Sequence, residues 1–270
     1  MGLGAVEAGL PGAVRLLPAA LRGSVEAPPS KSYTHRALLA SLLAGGGVVE
    51  RPLDSLDTRA TAGAVEALGG RVEWLQGRVE VEAPEGLSWG CCIDAGESGT
   101  TARLVTGVAA LLDKPVTIHG RGRLHRRPVL PLLRSLSLLG VSSVSSGPGG
   151  CCPPHTVRGP ARPGVTVVDA GASSQFLSAV LYTGAGLGDW VEARVAALES
   201  RPYVDITVRV LEAYGAAVER EGYRVFRVRG PLRPTVYRVP GDWSSAAPLL
   251  AAAAASGGEA RVEGLDPGDP

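Results

Sequence analysis

The sequence predicts an α/β (α+β) fold of repeated β-α-β-α-β-β units, three of which pack with pseudo-threefold symmetry into one domain. The first observation is a serine-rich turn that recurs after a short β-like run and opens an apolar helix. Its anchor serines lie 66, 75 and 71 positions apart, at Ser32, Ser98, Ser173 and Ser244. Glycines suited to end a later helix keep the same period, at Gly69, Gly140 and Gly215. This period is too long for the common solenoids, so we expect the repeats to pack around a shared core.

The first copy begins with a strand from Gly23, followed by a helix at 32–44 and a strand at 48–51. A second helix is predicted over 57–68, with Asp57 as its N-cap and Gly69 just beyond its end. The alternating segments RVEWL and RVEVE, joined at Gln76 and Gly77, then predict a β-hairpin.

The second copy predicts strands at 91–94 and 115–119 and helices at 98–112 and 128–139, with Pro128 in the first turn of the later helix. A looser β region rich in Pro, Gly and Ser follows. The third copy predicts strands at 165–169 and 190–197, helices at 173–187 and 202–214, and a hairpin around Glu221 and Gly222. A strand at 236–239 and a helix from Ser244 open a fourth copy.

The composition is that of an ordinary globular protein, with 45% hydrophobic and 20% charged residues and a formal net charge of +1. Such a charge lacks the basic field that nucleic-acid binding needs, so no nucleic-acid partner is expected. The longest apolar run, 246–255, is too short to span a membrane, and no signal-peptide pattern is present at the N-terminus. We therefore expect a cytoplasmic location and no membrane partner.

The four cysteines form two adjacent pairs, Cys91-Cys92 and Cys151-Cys152. Zinc sites usually space their ligands two to four residues apart, so neither pair resembles half of one, and no metal is predicted. The favoured interpretation is core or incidental cysteine, because free cysteine is usually buried. A disulfide between the two pairs is the alternative.

The serine-rich turns suggest a site for strongly anionic small molecules, because a helix N-terminus presents unpaired N–H groups and a partial positive charge. Only two of the 27 basic residues are lysine, and one of them, Lys31, lies inside the first turn. Lysine exchanges protons after a modest pKa shift, whereas arginine does not. Lys31 is therefore a candidate catalytic residue. The non-functional alternatives are that the lysine occurs there by chance and that the four anchor serines are simple N-caps.

Five sequence blocks agree in order and spacing with one enzyme family: PPSKSYTHRALLAS from Pro28, SGTTARL from Ser98, RLHRRP from Arg123, SSQFLSA from Ser173 and SRPYVDIT from Ser200. GDWSSA from Gly241 adds a sixth match. From about Gly23 onward the chain resembles the enolpyruvyl transferases, and within them the EPSP synthases.

The resemblance implies two domains of three units each, with 28–239 as a complete domain and 1–27 and 240–270 as parts of an incomplete one. It implies transfer of the enolpyruvyl group of phosphoenolpyruvate to the 5-hydroxyl of shikimate 3-phosphate, with release of phosphate. It also implies that no metal or organic cofactor is needed and that the full-length enzyme is monomeric.

By its position in the motif, Lys31 resembles the family lysine that lies between the two substrates. The residues it implies for shikimate 3-phosphate are Lys31, Ser32, Arg36, Ser173, Ser174, Gln175 and Ser200. Those implied for phosphoenolpyruvate are Lys31, Gly99, Arg127 and Gln175. Arg103 is expected to pack or pair at a helix surface. Glu97, an acid beside the anion site, is expected to point away or to pair with an arginine.

Two other functions stay open. The sister enzyme that acts on UDP-N-acetylglucosamine has asparagine after the lysine and a cysteine in the loop before Arg-Pro. Here Ser32 follows Lys31, and no cysteine occurs in 120–127. The other alternative is a non-catalytic anion-binding half-enzyme. The resemblance places the acid/base groups beyond Pro270, so the chain is expected to be truncated, inactive alone and able to bind shikimate 3-phosphate weakly.

Overall fold

The computed structural model describes residues 19–84, 86–87 and 92–270, and the chain divides into two compact units. The larger unit runs over Lys31–Val239, and the smaller one combines the described residues before 31 with Pro240–Asp269. That these units are the two predicted domains stays a prediction. None of the described helices is both long enough and apolar enough to cross a bilayer.

The described part of the larger unit contains three four-stranded sheets that share one strand order. The first-copy elements are α1 (Lys31–Leu43), β2 (Gly46–Glu50), α2 (Leu56–Ala67), β3 (Arg71–Leu75) and β4 (Arg78–Glu82), after β1 (Arg22–Glu26) in the smaller unit. The second copy comprises β5 (Cys92–Asp94), α3 (Gly99–Ala109), β6 (Val116–His119), α4 (Leu130–Ser137), β7 (Ser142–Ser145) and β8 (His155–Arg158). Position 91 of the predicted strand lies outside the described residues.

The third copy comprises β9 (Gly164–Ala170), α5 (Gln175–Leu187), β10 (Val191–Leu198), α6 (Pro202–Ala213), β11 (Ala217–Glu221) and β12 (Val225–Arg229). The chain then forms β13 (Thr235–Arg238), α7 (Trp243–Ala255) and β14 (Glu259–Glu263). The sheet orders are β13-β2-β4-β3, β5-β6-β8-β7 and β9-β10-β12-β11. In each sheet the first two strands are parallel and the other pairs antiparallel, as a repeated β-α-β-α-β-β unit requires.

The repeat pattern predicted that the strand from Gly23 opens the first copy, and this is wrong in the structure, whereas the family resemblance placed residues 1–27 with 240–270. That strand, β1, pairs in parallel with β14, while β13 supplies the first strand of the first sheet. The predicted fourth-copy strand therefore completes copy one. The chain passes from one unit to the other between β1 and α1 and returns between β13 and α7.

The helices α1, α3 and α5 form the interior of the larger unit. Residues 33–42 of α1 and 176–185 of α5 are buried without interruption, and α3 is buried along nearly all its length. A helix that is apolar all round belongs in a core, and α3 and α5 pack on each other there. Their backbones approach closely at Gly107, where a Cβ atom would clash with the Ala179 carbonyl oxygen.

The helix ends confirm part of the local predictions and correct others. Gly69, Gly140 and Gly215 all adopt positive φ after their helices, as predicted for stops. Asp57 was predicted to cap α2, but Ser55 is the N-cap and accepts the Thr58 N–H at 3.3 Å. Pro128 was predicted in the first turn of its helix, but α4 begins at Leu130 with a different proline, Pro131, in that turn.

Candidate functional site

The predicted substrate residues gather at one end of the larger unit, where α1, α3 and α5 begin. These helices start at Lys31, Gly99 and Gln175, the first residues after small, polar turns. Their first N–H groups have no partners within the helices, so each start carries a partial positive charge. One end of the core therefore presents three such helix starts close to arginine side chains.

Arg127 lies directly over the first turn of α3. It follows the 3₁₀ turn Gly122–Arg126 and is exposed, whereas Gly99 beneath it is buried. A Cβ atom added at Gly99 would lie 2.4 Å from Nη1 and 3.0 Å from Cδ of Arg127. A guanidinium above a helix N-terminus places two positive groups close together, and an anion bound beside both would relieve the repulsion.

Arg103 joins the second and third repeats and is the main residue that the sequence prediction missed. Its Nη1 group donates to Gln175 Oε1 at 2.9 Å and to Ser173 Oγ at 3.2 Å. Its Nε and Nη2 groups donate to the Pro128 carbonyl at 3.3 and 3.1 Å. The available signal was its spacing, because Arg103 follows Gly99 by four residues and so shares its helix face.

Arg103 is 9% exposed and has no carboxylate partner among the described residues. Burial, and then the positive charge of Arg127, lower the pKa of Arg103 to about 10. A buried cation without a counter-charge is costly, and a bound anion offsets that cost. The surroundings of Arg103 thus favour a negatively charged ligand.

The start of α5 brings Ser173, Ser174 and Gln175 into the same network. Gln175 Nε2 donates to Thr100 Oγ1 at 2.8 Å, and the Gln175 N–H donates to Ser173 Oγ at 3.3 Å. Ser174 occupies the N-cap position, is 5% exposed and makes no side-chain capping bond. The N-cap alternative therefore describes Ser173 in part and does not describe Ser174.

Lys31 begins α1 and forms an ion pair with Asp57, Nζ to Oδ2 at 3.0 Å, in which both side chains are partly exposed. An exposed pair of this kind contributes little to stability, so Asp57 is a carboxylate that an anionic ligand could displace. Asp57 is thus the Lys31 partner rather than the cap predicted from the sequence. The catalytic role of Lys31 stays a prediction.

Arg36 lies deeper than a ligand-gripping arginine would be expected to lie. It is 1% exposed, and its Nε and Nη2 groups donate to Thr207 Oγ1 at 2.7 Å and to the Tyr203 carbonyl at 3.0 Å. Its Nη1 group donates to the carbonyl of Ser32, the residue one turn earlier. Burial lowers its pKa, and every acceptor is neutral. In this structure Arg36 fixes α1 against α6, and its predicted contact with a ring carboxylate requires the guanidinium to become accessible.

Ser200 has φ of +54°, in the left-handed region that non-glycine residues rarely adopt. It is exposed, and its carbonyl accepts the Tyr203 N–H at 3.2 Å, next to the carbonyl that Arg36 uses. Such a conformation costs of order 1–3 kcal/mol and is often kept where function requires it. The structure thus places Ser200 beside the Arg36 network.

A buried polar chain links α1, α2 and α3 behind the site. His35 Nδ1 lies 2.6 Å from Thr61 Oγ1, which lies 2.7 Å from Thr101 Oγ1, and Thr101 contacts the N-cap Ser98. Burial, and then Arg36, lower the pKa of His35 to about 3, so the ring is neutral. These contacts fix the three helix starts relative to one another.

Glu97, the acid beside the α3 start, places its carboxyl group against Gly122 at the 3₁₀ turn. A Cβ atom at that glycine would lie 2.5 Å from the Glu97 carboxyl carbon. Glycine at that position therefore leaves room for the Glu97 side chain.

A cavity of about 610 Å³ opens at the opposite ends of the core helices. Its lining includes Leu42, Leu112 and Gly186 and none of the predicted substrate residues. Its lining holds Asp113 and no cationic side chain, so we place the chemistry at the helix starts and not in this cavity.

Comparisons with known proteins identify the family of this chain. The family model described as EPSP synthase (3-phosphoshikimate 1-carboxyvinyltransferase) matches residues 17–269. A 3-phosphoshikimate 1-carboxyvinyltransferase from Aeropyrum pernix is 47% identical over 261 residues, covering 96% of this chain and 60% of that protein. This chain thus spans about 60% of the length of the curated relatives it matches.

The fold is similar to that of the EPSP synthase from Acinetobacter baumannii, with a TM-score of 0.74 and 26% identity. That match covers 86% of this chain and 52% of the other. An enolpyruvyl transferase from Streptomyces tendae shares the fold with a TM-score of 0.61 at 16% identity, covering 83% of this chain and 53% of the other. From the family match over nearly its whole length, the chain belongs to the EPSP synthase family.

Proposed function

We propose that this chain is part of an enzyme that transfers the enolpyruvyl group of phosphoenolpyruvate to the 5-hydroxyl of shikimate 3-phosphate and releases phosphate. Membership of the family supports the reaction, and the helix starts of the larger unit support the kind of ligand. Both substrates carry a phosphate and a carboxylate, so their site must hold several negative charges close together.

The observation that carries the proposal is the cationic site at the starts of α3 and α5. Arg127 covers Gly99, and Arg103 is buried without a carboxylate partner among the described residues. Arg103 bonds to both Ser173 and Gln175, which resemble substrate ligands of the family. An anionic ligand supplies the negative charge that this arrangement lacks.

In the proposed site, phosphoenolpyruvate binds at the start of α3, beside Arg127 and the first N–H groups of the helix. The 3-phosphate of shikimate 3-phosphate lies at the start of α5 with Ser173 and Ser174, and Ser200 adds a further hydroxyl. Lys31 offsets charge between the substrates and moves a proton, while Arg36 and Ser32 hold the shikimate ring. Gln175 touches both substrates.

The transferred group needs acid/base chemistry at the 5-hydroxyl and at the methylene carbon. We place those groups in the part of the family's length that this chain does not span. The 270-residue chain is therefore expected to bind shikimate 3-phosphate weakly and to release no phosphate from the substrate pair. The monomeric state of the full-length enzyme and its cytoplasmic location stay predictions.

The test is a calorimetric titration of the chain with shikimate 3-phosphate and with shikimate, repeated on a Ser173→Ala/Ser174→Ala variant. The variant should lose affinity for the phosphorylated ligand and keep its affinity for shikimate, because only the phosphate uses those donors. Equal losses for both ligands would mean that the two serines do not bind the phosphate. Failure of the parent chain to bind shikimate 3-phosphate would overturn the proposed site.

A phosphate-release assay with both substrates runs beside the titration. Absence of turnover is the expected result, and turnover by the purified chain would refute the placement of the acid/base groups outside it. Binding without turnover in an extended, family-length enzyme would instead support the non-catalytic anion-binding alternative.

A further inference from the structure

Two adjacent cysteines between β7 and β8 play no part in the proposed anion site. Their sulfur atoms lie 3.1 Å apart, and both cysteines are free thiols. Cys151 is half-buried, whereas Cys152 is 4% exposed. Among the described residues, no third His, Cys, Asp or Glu joins them in a group that could hold a metal ion. The pair is thus a vicinal dithiol with one accessible member.

The backbone of this pair supports the start of α4. The Cys151 carbonyl accepts the Val129 N–H at 2.8 Å and the Leu130 N–H at 3.2 Å. The residue before them is Pro128, whose carbonyl accepts two N–H groups of Arg103. A change in the Cys151–Cys152 peptide therefore reaches Arg103 through two sets of hydrogen bonds.

We propose that Cys151 and Cys152 are a redox modification site, which low-molecular-weight disulfides convert into an intramolecular disulfide that loosens the start of α4 and its contact with Arg103. The thiol chemistry does not depend on the proposed enzymatic function.

The reaction is two successive thiol–disulfide exchanges. The Cys151 thiolate attacks the small disulfide, forms a mixed disulfide and expels one thiolate, which takes up a proton. Cys152 then loses its proton to solvent, and its thiolate attacks the Cys151 sulfur and expels the second small thiolate, which takes up a proton from solvent. The two cysteine sulfurs are oxidised by two electrons in all, and the small disulfide is reduced to two thiols.

The order of attack follows from exposure and charge. Burial, and then the contact with the Cys151 thiol, raise the pKa of the Cys152 thiol to about 11. Cys152 is therefore a poor initial nucleophile and serves as the resolving cysteine, since the thiolate is the reactive form. The second step is expected to become faster as the pH rises.

Geometry indicates that the bond is labile. Adjacent Cα atoms lie about 3.8 Å apart across a trans peptide, closer than the range of about 4.4–6.8 Å usual for disulfides. A strained disulfide is easily reduced and suits regulation better than structure. The ring closed by the disulfide would include the Cys151–Cys152 peptide bond. Strain in that ring would therefore distort the Cys151 carbonyl, which accepts the N–H groups at the start of α4.

The experiment treats a Cys91→Ser/Cys92→Ser chain with oxidised glutathione and follows it by peptide mass spectrometry. The expected product is a peptide lighter by two hydrogen atoms that contains both remaining cysteines. Adding Cys152→Ser should stop the reaction at a glutathione adduct on Cys151, whereas adding Cys151→Ser should slow the first step. Peptide mass spectrometry of the unsubstituted chain after the same treatment detects the Cys151–Cys152 disulfide without depending on the folding of any variant.

Hydrogen exchange then tests the coupling. The amides of Val129 and Leu130 should exchange at least about tenfold faster in the oxidised chain and recover after dithiothreitol, because they lose their acceptor. A stable glutathione adduct without ring closure, or no reaction at all, would overturn the modification site. Ring closure with unchanged exchange at these amides would overturn the coupling to Arg103.

Discussion

Gly99 provides the sharpest test of the site, because the three atoms nearest to a methyl group added there all belong to Arg127. A Cβ atom at Gly99 would lie 2.4 Å from Nη1 of Arg127, whereas ordinary contact begins at 3.4 Å. In Gly99→Ala the guanidinium must therefore move by about 1 Å, a displacement that is large for a charge-assisted hydrogen bond. The φ angle of Gly99 is not positive, so alanine adds no backbone strain.

We expect Gly99→Ala to weaken phosphoenolpyruvate binding by about 10- to 100-fold, or about 1.5–3 kcal/mol, the contribution of one hydrogen bond to a charged group. The free energy of unfolding should change little, because the better helix propensity of alanine, up to about 1 kcal/mol, opposes the clash. Affinity is measured by ligand-detected NMR titration of the 270-residue chain, and stability by urea unfolding.

Gly63→Ala is the matched control. Gly63 is also a helical glycine, in α2, but nothing lies within 4 Å of its added Cβ. It should stabilise the chain by about 0.5–1 kcal/mol and leave phosphoenolpyruvate binding unchanged. If Gly99→Ala bound phosphoenolpyruvate as tightly as Gly63→Ala, the placement of this ligand beside Arg127 at the start of α3 would be refuted.

Arg103→Lys keeps the charge but loses the planar fork, so shikimate 3-phosphate and phosphoenolpyruvate should both bind about tenfold more weakly by calorimetry, and unchanged affinity for both would contradict its bridging role. Lys31→Arg in the full-length enzyme should lower kcat far more than it weakens shikimate 3-phosphate binding, and near-normal turnover in steady-state kinetics would remove Lys31 from catalysis. Burial lowers the pKa of His155 to about 4 from 6.5, so the unfolded chain binds the proton first and stability present at neutral pH is lost as the pH falls below 6.5. The contribution of His155 to that loss should amount to roughly 3 kcal/mol by pH 4 in urea unfolding. His155→Gln should remove this contribution and leave that of the buried His35, and an unchanged pH profile in the variant would contradict the prediction. In α7, Trp243 and Leu250 are exposed and only Ala246 and Ala253 are buried, so the chain should self-associate, with Leu250→Glu shifting it toward monomer in light scattering; a monomeric parent chain would contradict this.

Features that depend on neighbouring residues could be predicted from the sequence. The hairpins at Gln76-Gly77 and Glu221-Gly222 have the predicted positions, because alternation and a positive-φ glycine are local signals. The glycines that end the helices were also predicted correctly, because a positive-φ glycine after a helix is a local signal. The small, polar turns before α1, α3 and α5 correctly predicted where the buried helices begin. Of the four anchor serines, all within the described residues, only Ser98 is an N-cap whose side chain accepts a helix N–H.

The candidate site could be predicted only in part. Gly99 and Arg127 lie together as the resemblance implies, but their closeness depends on the path of the chain through 100–126. The role of Arg103 was missed because its partners, Ser173 and Gln175, lie 70 and 72 residues further along the chain. Similarly, Asp57 in α2 pairs with Lys31 in α1, which lies 26 residues earlier in the chain.

The sequence by itself therefore determined the repeat, the order of helices and strands, and the family, because each depends on local patterns or on motifs with definite spacing. Only the tertiary structure decided that β13 rather than β1 completes the first sheet, that Arg36 points into the core, and that Arg103 lacks a counter-charge among the described residues. The physical reason is that strand pairing and burial are set by contacts between distant segments. A strand's own residues show that it will pair, but its partner is chosen by the packing of the whole chain.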